Sequence, residues 1–232
     1  MSRVDHELDQ KIPFVPDWIG IYHNFTPFWI RTIGFLLMEE RERAMDAVRD
    51  FLDSMAALYA FAAEVYQQNF STTRRPFYLR RPGFIMIHLT DPHLMCIPSL
   101  HVMAVIRTYT KFAAMLRALG EEETYAAQLA ELKKGANDIT ESILYVKQHS
   151  VNCVSAGMYA MTRFDETLFP PDEAERFTVK LFVTSGRPDA ADAGAIRTHI
   201  ISLYRRFVEE GHSAARWEDP LLAFLHAQPQ VG

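Results

Sequence analysis

The sequence has no run of apolar residues long enough to cross a bilayer. Its longest stretches without Asp, Glu, Lys or Arg are about 15 residues, at 92–106 and 148–162, whereas a membrane-spanning helix needs about 20 apolar residues. The mean hydropathy of −0.08 agrees with this. The first residues, MSRVDHELDQKIPF, carry charges where an export signal has an apolar core. We therefore expect a soluble, cytoplasmic chain without a transmembrane span.

Cysteine, glycine and basic charge are also scarce. Two cysteines, Cys96 and Cys153, are too few for a disulfide-stapled miniprotein and are typical of buried thiols in a reducing compartment, although one disulfide between them stays open. Ten glycines and twelve prolines in 232 residues are too few for a turn-dense β-sandwich. A net charge of −5 provides no basic excess, so we expect no nucleic-acid partner.

Helical patterns fill most of the chain. Apolar residues make up 49% and charged residues 23% of it, as in ordinary globular proteins, and its Ala, Leu, Arg, Glu and Met favour helix. Residues 9–30, rich in proline and aromatic rings, predict an irregular or short-helical segment, and 69–99 a long loop. Helices are predicted over 35–68, 100–120, 121–138, 139–163 with a break near Gln148, 173–185, 190–211 and 216–227.

The predicted fold class is therefore all-α. The simplest organisation is one helical bundle over 1–165, followed by a C-terminal helical extension over 166–232 that packs on the same domain. No internal repeat or low-complexity run suggests another arrangement. The role of the extension and the oligomeric state are not encoded in any motif.

Three segments hold the residues best suited to chemistry. The first, TTRRPFYLRRP (72–82), has four arginines within eight positions. The second, DPHLMCIPSLHV (91–102), places His101 in the first turn of a helix that Ser99 can cap. The third, SILYVKQHSVNCVSAG (142–157), contains Lys147, His149 and Cys153, and the last two are four residues apart on one helix face.

Together these segments have the chemistry of an oxyanion site. Arginines bind phosphate oxygens through two parallel hydrogen bonds and keep their charge, and a helix N-terminus offers free N–H groups to an anion. Of two histidines, one can attack phosphorus while the other protonates the leaving oxygen. Cationic side chains can neutralise the developing charge, so we expect neither a metal nor a cofactor, with phosphate or vanadate able to occupy the site.

The same segments resemble the type 2 phosphatidic acid phosphatase superfamily, which shares its helical fold with vanadium haloperoxidases. The resemblance covers about 9–165 and is closest to the inositol-phosphotransferase-like branch, whose proline- and aromatic-rich start is similar to IPFVPDWIGIYHNFTPFW. Arg74, six further residues and Arg81-Pro82 resemble the first phosphate-binding motif, and Arg75-Pro76 is a second alignment of it. CIPSLHV (96–102) resembles the second motif and VKQHSVNCVSAG (146–157) the third.

This resemblance implies a fold, a reaction and a set of roles. The fold would be the helical bundle of the phosphatase and haloperoxidase type. The reaction would be phosphomonoester hydrolysis or phosphoryl transfer, on a phosphorylated small molecule or on a lipid phosphate taken up through peripheral membrane contact. His149 would form a phosphohistidine and His101 would protonate the leaving group. The phosphate would be held by a larger set: Arg74, Arg75, Arg81, Ser99 and Lys147.

The chain also departs from the family pattern. The family has an Asp four residues after the nucleophilic histidine, and this chain has Cys153, a mostly neutral thiol that orients an imidazole weakly. The third motif often begins Ser-Arg and here begins Ser142-Ile143, and most members of the branch are membrane-embedded. The alternative is therefore a catalytically lapsed protein that binds phosphate or another anion. A third possible class of function is that of a purely structural or interaction protein.

A zinc site is the competing interpretation of the same residues. His101, His149 and Cys153 could supply three ligands, with Cys96 or His93 as a fourth, but no close Cys/His pair recurs elsewhere in the sequence. His88 and His93 themselves are predicted to be ordinary loop residues.

Overall fold

A computed structural model describes residues 1–231, and over these residues the fold is all-helical. The helices are α1 (Ile19–Tyr22), α2 (Phe25–Glu39), α3 (Met45–Tyr66), α4 (Pro82–Thr90), α5 (Leu100–Leu119), α6 (Ala126–Tyr145), α7 (Val151–Phe164), α8 (Pro171–Lys180), α9 (Ala190–Ser213) and α10 (Asp219–His226). Short 3-10 turns lie at Glu7–Lys11, Pro16–Trp18 and Arg41–Ala44. Two short strands, β1 (Ser2–Arg3) and β2 (Ser71–Thr72), pair in parallel. Within 1–231, no helix is both long enough and apolar enough to span a membrane.

Helices α5 and α7 form the centre of the fold. All residues over 102–110 in α5 and 151–162 in α7 are buried. α2, α3 and α6 pack around α5, and α9 packs along α7. Because these helices are buried on every side, their hydroxyls must find partners inside the protein. Thr108 donates to the Ala104 carbonyl at 2.7 Å, and Ser155 donates to the Ile200 carbonyl at 3.0 Å.

A glycine lets α7 cross the first turn of α5 at close range. A Cβ atom at Gly157 would lie 3.0 Å from Cβ of Val102 and 3.2 Å from the carbonyl oxygen of Ser99. Only glycine allows two backbones to approach this closely without displacing a neighbour. The crossing therefore sets the start of α5, with the second sequence motif, directly against α7, which follows the third.

Residues after 165 contribute to the same hydrophobic core as the residues before it. In α9, Tyr204 shares a 2.8 Å hydrogen bond with Thr162 of α7, and Ile200 and Phe207 are completely buried. Near the other end of the chain, the Ser2 hydroxyl donates to the Leu225 carbonyl of α10 at 2.8 Å. The C-terminal helices thus pack on the bundle through both α7 and the N-terminal strand.

Three local expectations differ from the observed helices. The boundary expected between 138 and 139 is absent, because α6 is continuous across it. The pattern over 35–68 is divided, because the turn at Arg41–Ala44 separates α2 from α3, and the Glu40 carboxylate in front of this turn binds Arg43 and Tyr125. The segment 69–99, predicted to be a loop, contains α4. α4 is apolar on all its faces, so its sequence, PGFIMIHLT, shows no helical period.

Candidate functional site

The two candidate histidines lie side by side at the N-terminal ends of the central helices. His101 is the second residue of α5, and His149 lies in the link between α6 and α7. Their ring centroids are 5.2 Å apart, and the planes meet edge to face at 68°. Residues 48 positions apart in the sequence are therefore brought to one place.

A tight turn fixes His149. Lys147 adopts a left-handed backbone conformation with φ of 58°, and the N–H groups of Gln148 and His149 both donate to the Ile143 carbonyl, at 3.0 and 3.1 Å. Such a left-handed residue after a helix commonly ends it by satisfying its last carbonyls. Ser150 then caps α7 by accepting from the Asn152 N–H at 3.3 Å. His149 is thus held between two helix ends by backbone hydrogen bonds.

Three motif residues each have a buried polar atom that lacks a hydrogen-bond partner within residues 1–231. The atoms are Oγ of Ser99, Nε2 of His101 and Nδ1 of His149. Ser99 is the N-cap residue of α5, yet its hydroxyl does not cap the helix. Buried polar groups are almost always paired, because an unpaired one costs about 1–3 kcal/mol. Two of these atoms belong to the adjacent rings of His101 and His149, and neighbouring unpaired polar groups are what a binding site for a polar ligand requires.

Burial keeps both imidazoles neutral. Desolvation lowers the pKa of His101 to about 4 and the pKa of His149 well below its ordinary value. The rings of Tyr22 and Phe25 surround His101, with centroids 4.7 and 4.2 Å from its own. A neutral imidazole is the form that can act as a nucleophile or accept a proton.

The histidines open onto a pocket of about 280 Å³ between α4 and the start of α5. Aromatic and apolar side chains supply much of its lining, with Asp91, His93 and Cys96 as further polar groups. The volume suits a phosphate or a small phosphoester group rather than a large ligand.

One arginine of the first motif lies beside this pocket. The Arg75 guanidinium donates to the Gln148 side-chain oxygen at 3.2 Å and to the Asp91 carbonyl at 3.0 Å, and it forms an ion pair with the Asp91 carboxylate at 3.6 Å. Its side chain is 19% exposed. Arg75 therefore binds Gln148, the residue directly before His149, which is the candidate nucleophile.

The other predicted cations lie elsewhere. Arg81 is half exposed and pairs with Asp17. Lys147 points to the opposite side of its turn, where its ammonium group donates to the carbonyls of Asp9 and Ile12. Arg74 lies beside Lys147 on a separate pocket formed with the N-terminal segment. The structure thus separates Arg74, Arg81 and Lys147 from the two histidines.

Cys153 is completely buried and does not bind the His149 ring. Its sulfur accepts from the Ser150 N–H at 3.4 Å and lies against the thiol of Cys96. Cys153 stands where the resembled family has an orienting Asp, and it does not pair with Nδ1 of His149. Within the described chain this nitrogen has no hydrogen-bond partner.

His93 and Asp91 belong to the pocket, although His93 was expected to be an ordinary loop residue. His93 has a left-handed φ of 58° and is buried, and its Nε2 atom lies 2.9 Å from the Thr73 hydroxyl. Asp91 binds the His93 N–H at 2.8 Å. Its hydrogen bonds and charge raise the pKa of His93 to about 9, and His93 and Arg75 lower the pKa of Asp91 to about 2. In the sequence, the only sign of this contact is an Asp two residues before a His. That spacing is common in loops and does not indicate a site by itself.

In and beside the pocket, His93 with its raised pKa and the Arg75 guanidinium therefore stand against the one carboxylate of Asp91. No group of three His, Cys, Asp or Glu side chains within residues 1–231 is arranged to hold a metal ion. Comparison of the chain with protein-family models, curated proteins and solved structures found no match.

Proposed function

We propose that this chain is a metal-independent phosphatase or phosphotransferase of the type 2 phosphatidic acid phosphatase kind, acting through a phosphohistidine on His149. The observation that carries the proposal is the convergence of Ser99, His101 and His149, each with a buried polar atom that lacks a partner in the described chain. His101 and His149, from two distant segments, line one pocket of phosphate size, and Ser99 lies two residues before His101.

The nucleophile is His149. Its imidazole is neutral at pH 7, because burial lowers its pKa, and a neutral ring has the lone pair that attack on phosphorus needs. In the first step a ring nitrogen forms a P–N bond while the P–O bond to the leaving group breaks. Water or an acceptor hydroxyl then takes the phosphoryl group from the histidine.

His101 is the group that exchanges a proton with the leaving oxygen. Because burial lowers its pKa to about 4, it must gain its proton as substrate binds. A phosphate dianion beside the ring favours the imidazolium form, since an opposite charge nearby raises the pKa of a histidine. Substrate binding and acid catalysis are therefore coupled in this proposal.

Three features favour the binding of the phosphate group. Arg75 supplies a guanidinium one residue from His149, and His93 supplies a second cation. The first turn of α5 supplies backbone N–H groups that have no partner within the helix. Together they neutralise the charge that develops during phosphoryl transfer.

The surface beside the pocket favours a lipid as the source of the phosphate. In and before α4, Phe77 and Leu89 are about four-fifths exposed (81% and 80%), and Leu79 and Met86 are both 48% exposed. Large apolar patches are uncommon on proteins that meet only water. Arg80 lies exposed among them, as basic residues do beside anionic lipid headgroups.

The first test is the hydrolysis of p-nitrophenyl phosphate by the full chain and by His149→Ala, His101→Ala and His226→Ala. His226 ends α10 on the exposed surface, so its variant controls for the loss of any histidine. We expect His149→Ala to lower the rate by about 10³-fold or more, and His226→Ala to leave it unchanged. Equal rates for wild type and His149→Ala would remove the nucleophile assignment.

The second candidate function is anion binding without turnover. It is favoured by the unpaired Nδ1 atom of His149, because losing the orienting carboxylate of a catalytic histidine can cost about 10⁴-fold in rate. Cys153→Asp distinguishes the two functions. A strong gain of phosphatase activity would identify the native protein as a lapsed enzyme, and fast turnover by the native protein would exclude this candidate. Absence of both turnover and vanadate binding would exclude both functions.

A further inference from the structure

The pocket holds a thiol that the phosphoryl-transfer reaction does not use. Cys96 lines it, and its sulfur lies 3.9 Å from Nε2 of His93. On the other side of that ring, Nδ1 of His93 lies 3.9 Å from the Asp91 carboxylate. Carboxylate, imidazole and thiol therefore stand in the order that activates a cysteine, because the protonated ring favours the thiolate.

The neighbouring groups hold the His93 ring in this position. The Thr73 hydroxyl contacts Nε2 at 2.9 Å, and the left-handed His93 backbone is tied to Asp91 by a 2.8 Å hydrogen bond. The neighbouring Cys153 thiol and His93 lower the pKa of Cys96. The thiolate form of Cys96 is therefore favoured relative to that of an ordinary cysteine.

A second thiol lies against the first. Cys153, in the first turn of α7, lies beside Cys96, and burial raises its pKa well above the ordinary value. The pair is unequal, since Cys96 lines the pocket and has the lowered pKa, whereas Cys153 is completely buried and has the raised one. Such a pairing of a reactive and a resolving cysteine is typical of redox-active sites.

We propose that Cys96 is a redox-active cysteine that reduces a small hydroperoxide entering the pocket, and that Cys153 resolves it to an intramolecular disulfide. The Cys96 thiolate attacks the outer oxygen of the hydroperoxide, so an S–O bond forms and the O–O bond breaks. The departing alkoxide takes a proton from His93, and Cys96 becomes a sulfenic acid. Cys153 then loses its proton and attacks the Cys96 sulfur, an S–S bond forms, and the hydroxyl leaves as water. A dithiol reductant restores both thiols.

The disulfide would join the two segments that carry the histidines. Cys96 lies three residues before the Ser99 cap of α5, and Cys153 is the third residue of α7, four residues after His149. Oxidation would tie these segments together covalently and remove the thiolate from the pocket. The oxidation needs neither His101 nor His149, so it can be tested apart from the proposed phosphatase function, with which it shares only His93.

The experiment treats the full chain with hydrogen peroxide at pH 7, blocks the remaining thiols with N-ethylmaleimide and measures the intact mass. We expect a loss of about 2 Da and no added maleimide, with cysteines 96 and 153 in one cross-linked peptide that dithiothreitol separates. Two free thiols after a treatment that oxidises free cysteine would overturn the proposal.

Variants separate the two roles. Cys153→Ser stops at a sulfenic acid on Cys96 that dimedone traps, and Cys153→Ala serves the same purpose if the serine variant is poorly folded. Cys96→Ser leaves Cys153 unoxidised. His93→Gln slows the oxidation of Cys96 by about ten-fold, whereas His88→Gln, a substitution in α4, leaves it unchanged. Oxidation of Cys153 at the wild-type rate in Cys96→Ser, or no dimedone adduct in either Cys153 variant, would contradict the assignment.

Discussion

The rings of His101 and His149 meet edge to face with 5.2 Å between their centroids, and each has a buried nitrogen without a partner in the described chain. Their positions depend on different backbone features. His101 follows the helix start at Ser99, and His149 follows the left-handed turn at Lys147. The packing of α7 on α5 brings these two features together.

Arg75 and Arg81 should differ in their effect on oxyanion binding. Arg75→Gln removes the guanidinium beside Gln148 and should weaken the binding of vanadate by about ten-fold, because charge-assisted hydrogen bonds to an anion are lost. Arg81→Gln removes only a surface pair with Asp17 and should leave the affinity unchanged. Isothermal titration of both variants with vanadate provides the measurement. Equal weakening by both would show that Arg75 has no particular role.

Stability should fall in mild acid because of His101. In the unfolded chain a histidine binds a proton near pH 6.5, whereas folded His101 stays neutral down to about pH 4. The unfolded state binds more protons over this interval, so the free energy of unfolding decreases as the pH falls from 6.5 to 4. In His101→Phe this decrease in the free energy of unfolding should be smaller than in the wild type, and the difference should be at most about 3 kcal/mol.

Urea unfolding at pH 7, 6, 5 and 4 measures this difference. The phenylalanine keeps an aromatic ring between Tyr22 and Phe25, so packing is largely retained. His226→Ala should follow the wild-type curve. Parallel curves for wild type and His101→Phe would show that His101 titrates alike in the folded and unfolded states.

Gly157 should be intolerant of a side chain. Gly157→Ala places a Cβ 3.0 Å from that of Val102 and should destabilise the protein by about 1–3 kcal/mol, because overpacking displaces α7 from α5. In α9, a Cβ at Gly194 meets nothing within 4 Å, and Gly194→Ala should stabilise by about 0.5–1 kcal/mol through helix propensity. Thermal unfolding of both variants checks the opposite signs. A neutral or stabilising Gly157→Ala would contradict the close crossing.

Lys147 should act on stability rather than on the phosphate. Lys147→Met removes two hydrogen bonds to the carbonyls of Asp9 and Ile12 and should lower the free energy of unfolding by about 2 kcal/mol. Lys180→Met, at the exposed end of α8, should be neutral within about 0.5 kcal/mol. Chemical denaturation measures both changes. A Lys147→Met variant as stable as wild type would assign no structural role to the ammonium group.

The sequence was sufficient for features that local chemistry decides. Ser99 and Gly120 mark the two ends of α5 as predicted: Gly120 adopts the left-handed φ of 75° that ends a helix, and Ser99 stands at the N-cap position although its hydroxyl does not cap the helix. The break near Gln148 was also predicted. The all-α class follows from apolar residues repeated at the helical period, which the described chain shows throughout its core.

Tertiary contacts decide the features that the sequence left open. Two Arg-Pro pairs fit the first motif equally, and only the contact with Gln148 distinguishes Arg75 from Arg81. The positive φ of Lys147 directs its side chain toward the N-terminal segment, which no local pattern indicates. His93 becomes part of the pocket through Thr73, twenty residues earlier in the chain.

The short link that holds His149 has a consequence for how a ligand enters. Its backbone is hydrogen-bonded at both helix ends, so the floor of the pocket has little freedom to shift. The opposite wall is α4 and the stretch from Asp91 to Met95, where Met86, Leu89 and Met95 are exposed. Segments with few buried contacts open at the lowest free-energy cost, so amide hydrogens in this wall should exchange well before those of the α6–α7 link. Access to the histidines is therefore governed by the wall and not by the helices that carry them.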